Sequence, residues 1–344
     1  MSKSLGNSPD PLDLIAKYGA DGVRVGMLLC SPAGNDILFD ESLTEQGRNF
    51  ANKIWNAFRL VTTWSVDNTL EQPESASLAV EWFGHRIQKE MVIINDHFEK
   101  YRISDALMAV YNLFWDEFSS WYLEMIKPGY QQPIDGKTYE ATLAYLDDLM
   151  RLLHPFMPFI TEEIWHHLKP RQNGDSLMVS PMPQLKAYDE NLIARFEKVK
   201  EAITFIRNIR KDRNISFKEE LDLKILKGDD GYEASFNPVL VKMGTLKSVN
   251  EVTEKVEDAL SFFVKSSEYF IPVETSINLE EELEKLRNEL QYTQGFLDQV
   301  MKKLNNERFV SSAPEKVVAL ENQKRTDAEA RIAAIKESIA RLTK

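Results

Sequence analysis

Residues 42–64 read SLTEQGRNFANKIWNAFRLVTTW. Ser42 stands three residues before Glu45, the spacing of a capping box, which predicts a helix start at the serine. Behind it Phe50, Ile54, Trp55, Phe58 and Val61 share one helical face, while Arg48, Asn52, Lys53, Asn56 and Arg59 fall largely on others. One face is built for a core and the other is available to a partner. The helical period continues on both sides of proline and glycine breaks as far as Leu168. A second helix is expected over Leu78 to Lys100, and a third starts at ISDA with Ser104 as its cap and stops before Lys127, Pro128 and Gly129. A fourth runs from Lys137 to Leu153. The prolines of HPFMPF, Pro155 and Pro158, force a break before a fifth from Thr161 to Leu168. Together these make an antiparallel bundle of about five helices. The third helix carries Tyr111, Phe114, Trp115, Phe118, Trp121 and Tyr122, a run that reads as bundle core rather than as a platform for nucleotides.

Beyond the bundle the pattern dissolves over 172–187 into turn residues, which link to a second module. A helix follows at about Glu190 to Lys211. It is basic: from Arg195 to Asn214 seven lysines and arginines face three acids, a surface open to an acidic partner or a solvated helix face. Strand-like runs come next at Leu221 to Leu226, near Leu246, near Phe262 and at Glu268 to Val273, with a helix around Asn237 to Met243. A small α+β unit is the natural outcome. In the last segment Leu279, Leu283, Leu286, Leu290, Thr293, Leu297, Val300 and Leu304 alternate steps of four and three. Val318, Glu321, Arg325, Ala328, Ile332, Ile335, Ile339 and Leu342 do the same. Two such seams joined by a loop containing Pro314 make an antiparallel coiled-coil hairpin, whose ~26-residue arms would project roughly 40 Å at 1.5 Å per residue. The hairpin is neutral as a whole, but six basic residues face three acidic ones from Lys302 to Arg325, so positive charge gathers at its turn. The fold class is therefore mainly α, with a helix bundle, a small α+β subdomain and a C-terminal hairpin.

With 344 residues, 43% of them apolar, the chain can support several cores. The densest apolar runs, such as YNLFWDEFSSWYL, are broken by charge well short of the ~18 residues a membrane span needs. The single cysteine, Cys30, excludes an internal disulfide and a multi-cysteine zinc site, as expected of a cytoplasmic protein. His166 and His167 have no thiolate beside them, so no metal site is assigned. A net charge of −12 argues against indiscriminate nucleic-acid binding, though not against a local basic surface.

The chain opens MSKSLGN, a lysine between two serines followed by a small, polar turn. Such a loop can follow phosphate charge as it shifts in a reaction. Together with DPLDLIAKYGADGVR, GNDILFDESLTEQGRNFANKIWNAFRLV, WDEFSSWYLEMIKP and LLHPFMPFITEEIW, it resembles the C-terminal portion of a class I aminoacyl-tRNA synthetase of the valyl, isoleucyl and leucyl subgroup. The hairpin sequences ELEKLRNEL and MKKLNNERFVSSAPEKVV resemble the arm of valyl-tRNA synthetases, whereas isoleucyl enzymes tend to end in cysteine-rich zinc modules.

The resemblance implies a parent enzyme that forms valyl-adenylate from valine and ATP, with Mg2+, and passes valine to tRNA(Val). Lys3 would be its catalytic contact to the ATP phosphates, with Ser2 and Ser4 shaping the ATP-binding loop. The family's lysine before the loop methionine, its histidine-rich HIGH-type signature and its editing domain have no counterpart here, so the chain reads as a fragment, inactive alone. Asp21 and Arg24 are expected to fix supporting helices rather than touch substrate. The implied division is 1–41, the end of the catalytic domain; 42–171, the anticodon-binding domain; 172–278, the α+β subdomain; and 279–344, the arm. Arg48, Asn49, Asn52, Lys53, Asn56 and Arg59 are the RNA-facing candidates of the bundle, and Lys302, Lys303 and Arg308 those of the arm. The protein is expected to be a cytoplasmic monomer. Two alternatives stay open at this stage: an independent helical protein-interaction module, and a leucyl or isoleucyl relative.

Overall fold

The computed structural model describes residues 9–31, 39–228, 232–257, 259–272, 279–306 and 315–342. The chain forms two compact units, 1–255 with 261–270 and 256–260 with 271–344.

In the larger unit, helix α1 (Pro11–Tyr18) starts from the Asp10 carboxylate, which accepts the Leu12 amide at 2.8 Å. Gly19, at φ +77°, stops it and opens α2 (Ala20–Leu29). Helix α3 (Glu41–Thr62) is capped by Asp40, whose carboxylate accepts from the Ser42 amide at 2.9 Å. Ser42 is therefore inside the first turn and not the cap, because an ionised acceptor two residues upstream takes that role. Phe50, Ile54, Phe58 and Val61 are buried as expected, and Trp55 is half-buried. A Cβ at Gly26 would lie 2.6 Å from the Thr44 Cα, and one at Gly47 would lie 2.5 Å from the Gly22 carbonyl oxygen. Backbone therefore meets backbone where α2 crosses α3, and only glycine allows the approach.

The two-residue strand β1 (Val66–Asp67) precedes α4 (Glu74–Glu99), which starts directly after Pro73, four residues before the expected Leu78. Helix α5 (Ile103–Asn112) begins after Arg102, so Ser104 is not its cap. It runs on into a π-helical stretch, Leu113–Tyr122, and a short α6 (Leu123–Ile126). The widened turns divide the aromatic run. Phe114, Phe118 and Tyr122 are fully buried, whereas Tyr111, Trp115 and Trp121 are only half-buried. Strand β2 (Ile134–Asp135) pairs in parallel with β1, a contact between distant segments that no local pattern announces. Asp135 caps α7 (Gly136–Leu153) through the Thr138 amide at 2.8 Å, and α8 (Pro158–Leu168) opens on its own proline.

Helix α9 (Glu190–Asp212) packs on α4 through a stacked Trp82–Phe196 pair with ring centroids 4.5 Å apart. Behind it stand β3 (Leu221–Leu226), α10 (Asn237–Gly244), β4 (Leu246–Val252), β5 (Ala259–Val264) and β6 (Ser267–Pro272). The sheet order is β4-β3-β6-β5, with β3 parallel to β4 and antiparallel to β6. Three of the basic residues of α9, Arg195, Lys200 and Arg210, are engaged within the fold. Lys200 is buried, its Nζ 2.9 Å from Glu117 and 3.0 Å from Glu197, with the Trp82 and Trp121 rings each about 5.5 Å away. Arg195 pairs with Glu233 at 3.0 Å. Arg210, 1% exposed, donates to the carbonyls of Ser216, Glu219, Gly244 and Thr245 at 2.8–3.0 Å. These carbonyls lie just before β3 and β4, so one guanidinium ties the entries of two neighbouring strands to α9.

In the smaller unit, α11 (Leu279–Leu304) and α12 (Glu315–Leu342) pack on each other. Thr293 and Val300 on the first, and Glu321, Ala328, Ile332 and Ile335 on the second, are buried, and all of them occupy positions of the two heptad series. Lys303 Nζ lies 3.7 Å from the Glu321 carboxylate, so the end of one helix meets the beginning of the next. The side chains of Leu279, Leu283, Leu286 and Leu342, and the loop with Pro314, lie outside the described residues.

Candidate nucleic-acid interface

Helix α3 is held in place from the side opposite its polar face. Asp21 on α2 accepts the Ile160 amide at 2.7 Å and the Phe159 amide at 3.3 Å, capping α8 from outside. Burial pushes its carboxyl above the usual range, and the two amides pull it back. Three residues on, Arg24 donates to the carbonyls of Phe156 and Pro155 at 3.1 Å, which satisfies the break between α7 and α8. Both residues are fixing groups, as expected of them. With the glycine contact, they make α2 a brace between α3 and the α7–α8 corner.

On the braced helix Asn49, Asn52, Asn56 and Arg59 are exposed in steps of three and four, one row on one face. Arg48 is half-buried, paired with Glu45 at 3.0 Å and 5.6 Å from the centre of the Tyr18 ring. Lys53 is half-buried with its ammonium 5.2 Å from the Trp115 ring. That ring is stacked on Tyr111, 5.5 Å away and nearly parallel at 9°, and Tyr111 in turn leans on buried Phe50 at 4.4 Å. The row of amides is thus flanked by a half-open aromatic shelf bearing a cation. Amide groups donate and accept in one plane, aromatic faces stack on unpaired bases, and cations neutralise phosphate, which is the equipment for single-stranded RNA. Sequence reasoning placed Trp115 and Tyr111 in the core. Both are half-buried instead, Tyr111 at the end of α5 and Trp115 in the π-helical stretch, and the type of residue alone does not distinguish them from buried Phe114 and Phe118.

In the smaller unit Lys302 and Lys303 are exposed in the last turn of α11, and Glu321 partly neutralises the second. Arg308, Ser2, Lys3 and Ser4 lie outside the described residues. Among the described residues no three His, Cys, Asp or Glu side chains converge as a metal would require, and no helix is long and apolar enough to cross a membrane.

Residues 80–225 match the family described as the anticodon-binding domain of tRNA ligase, residues 278–343 the valyl tRNA synthetase tRNA binding arm, and residues 1–40 the class I tRNA synthetases (I, L, M and V). The valine–tRNA ligase of Parabacteroides distasonis is 58% identical over 344 residues, covering 100% of this chain and 39% of that protein. Those of Phocaeicola vulgatus and Christiangramia forsetii are 57% and 54% identical, with the same coverage of 100% and 39%. The chain thus spans about two fifths of the length of the relatives it matches.

Proposed function

The chain belongs to the valine–tRNA ligase family, matching its C-terminal region, and from that premise we propose that it is the tRNA-binding part of an enzyme that forms valyl-adenylate from valine and ATP and transfers valine to tRNA(Val). The helices around α3 are read as an antiparallel bundle of the class I anticodon-binding type, and α11 with α12 as an antiparallel coiled-coil arm. The enzyme is taken to act as a cytoplasmic monomer. ATP, with Mg2+, is assigned to the complete protein.

The observation that carries the reading is the row Asn49, Asn52, Asn56 and Arg59 beside the Lys53–Trp115 shelf. Phe50 of the same helix packs its ring on Tyr111 and on Phe114, both within the span matching the anticodon-binding family. In this reading unstacked anticodon bases lie on Trp115, their edges meet the asparagines, and Arg48, Lys53 and Arg59 hold the backbone. Asn52→Ala with Asn56→Ala should weaken tRNA(Val) binding about tenfold, the order expected for lost base-edge contacts. A tRNA with a changed anticodon should bind wild type and variant alike. Equal affinities of wild type and variant for tRNA(Val), measured by filter binding, would remove α3 from the interface.

The arm is assigned to the tRNA body, where phosphate contacts position the RNA without reading sequence. Replacing Lys302, Lys303 and Arg308 by alanine should weaken binding. The log–log salt dependence should flatten by up to about three contacts, each near −0.7 to −0.9 by analogy with simpler nucleic acids. A protein-interaction arm predicts identical salt slopes for wild type and variant.

A further inference from the structure

Away from α3, the larger unit contains a cavity of about 620 Å³ where the 124–135 segment faces α9 and α10. This is within the range of sites for small organic ligands. Its charged lining divides into committed and uncommitted groups. Glu124 is paired with Lys127 at 3.5 Å, and the Asp135 carboxylate is turned to the Thr138 amide at the start of α7. Glu71 is exposed at the wall. Arg207 and Lys242 are different. Neither makes a hydrogen bond or ion pair among the described residues, and Glu124, already paired, is the one acid whose field reaches both. Arg207 is half-buried and Lys242 stands at the exposed edge of the cavity; partial loss of hydration there holds both below their usual ranges, and neither has a counter-charge of its own.

The guanidinium of Arg207 is 5.4 Å from the Trp121 ring, which occupies its face and leaves its N–H edges for an acceptor. Phe217 adds an apolar wall, 65% exposed, in the same cavity. An exposed phenylalanine beside two unpaired cations suits a ligand with a planar ring and an anionic group. Phosphate is the anion that engages an arginine fork and an ammonium together.

We infer that this cavity is a binding site for a nucleoside phosphate, with the phosphate on Arg207 and Lys242 and the base against Phe217. The ligand is either a free nucleotide or one nucleotide of a bound RNA. The inference does not depend on α3 or the arm.

Titration of the full chain with AMP, UMP and inorganic phosphate, followed calorimetrically, tests the first source; binding of tRNA(Val) tests the second. Arg207→Met with Lys242→Met should weaken the responsive ligand tenfold or more, the order set by losing charge-assisted hydrogen bonds. Phe217→Ala should weaken nucleotides or tRNA while leaving inorganic phosphate unchanged. Loss of AMP and UMP binding with tRNA affinity intact identifies a free nucleotide. A fall in tRNA affinity in both variants identifies an RNA nucleotide. Lys242→Met alone, at an exposed position, guards against misfolding and should show the same trend. The inference is overturned if none of the ligands responds to these substitutions.

Discussion

Arg210→Met should lower the unfolding free energy of the larger unit by about 2–4 kcal/mol, the order expected for losing charge-assisted hydrogen bonds of about 1.5–3 kcal/mol that share one donor and do not add. The cause is what remains behind. The carbonyls of Ser216, Glu219, Gly244 and Thr245 would lose their shared donor; the Gly244 carbonyl, in a buried bond, would be orphaned at a cost on the order of 1–3 kcal/mol, and the other three, only partly buried, at less. Methionine fills a similar volume, so lost packing contributes little. Arg210→Lys retains the charge but presents a point donor where a planar fork spans two chain segments, and should recover only part of the loss. Urea unfolding followed by circular dichroism and by tryptophan fluorescence measures both variants. Midpoints within experimental error of wild type would show that water or a shifted backbone replaces the guanidinium at no cost.

In the complete enzyme Lys3→Ala should slow adenylate formation by about 10²-fold or more, as for loss of one preorganised donor at a developing charge. In the proposed reaction the valine carboxylate attacks the α-phosphorus while pyrophosphate leaves. An ammonium placed beside the triphosphate would offset the negative charge that accumulates on the departing phosphates. Its removal should leave tRNA binding unchanged, since the residues assigned to RNA are elsewhere in the chain. Pre-steady-state adenylation at the wild-type rate would dismiss the phosphate role. The chain by itself, two fifths of the length of its relatives, should give only background valine-dependent ATP–pyrophosphate exchange.

What could be read from sequence was local and periodic. Helices α3, α4, α5, α7, α8 and α9, the four longer strands and the two heptad series all announce themselves within a window of ten or twenty residues. The failures are equally physical. Ser42 and Ser104 have the right chemistry for caps, but a cap is a competition among neighbours, and Asp40, by accepting the Ser42 amide, starts the helix before Ser42 can cap it. The strand pair Val66–Ile134 joins segments too far apart for any local signal. Counting charge on α9 could not reveal that Lys200 and Arg210 face inward, because their partners, Glu117 and a set of backbone carbonyls, come from elsewhere in the chain. Within the candidate interface the asparagine row was legible from helical spacing. The Trp115–Tyr111 shelf was not, since which aromatics of the run are covered depends on neighbours from elsewhere in the chain.

The seam between α4 and α9 also bears on how this protein can be dissected. The connection over 180–189 has no regular secondary structure, and it looks like a place to cut. Yet on either side of it Trp82 is stacked on Phe196, Lys200 is buried against Glu117, and Lys89 holds Glu190 at 2.6 Å. A nick there would sever the chain without parting the pieces, which would co-purify as a two-chain complex. Expressing either piece alone would strip a tryptophan or a phenylalanine of its cover. The covalent link is dispensable at this point, and the packing is not.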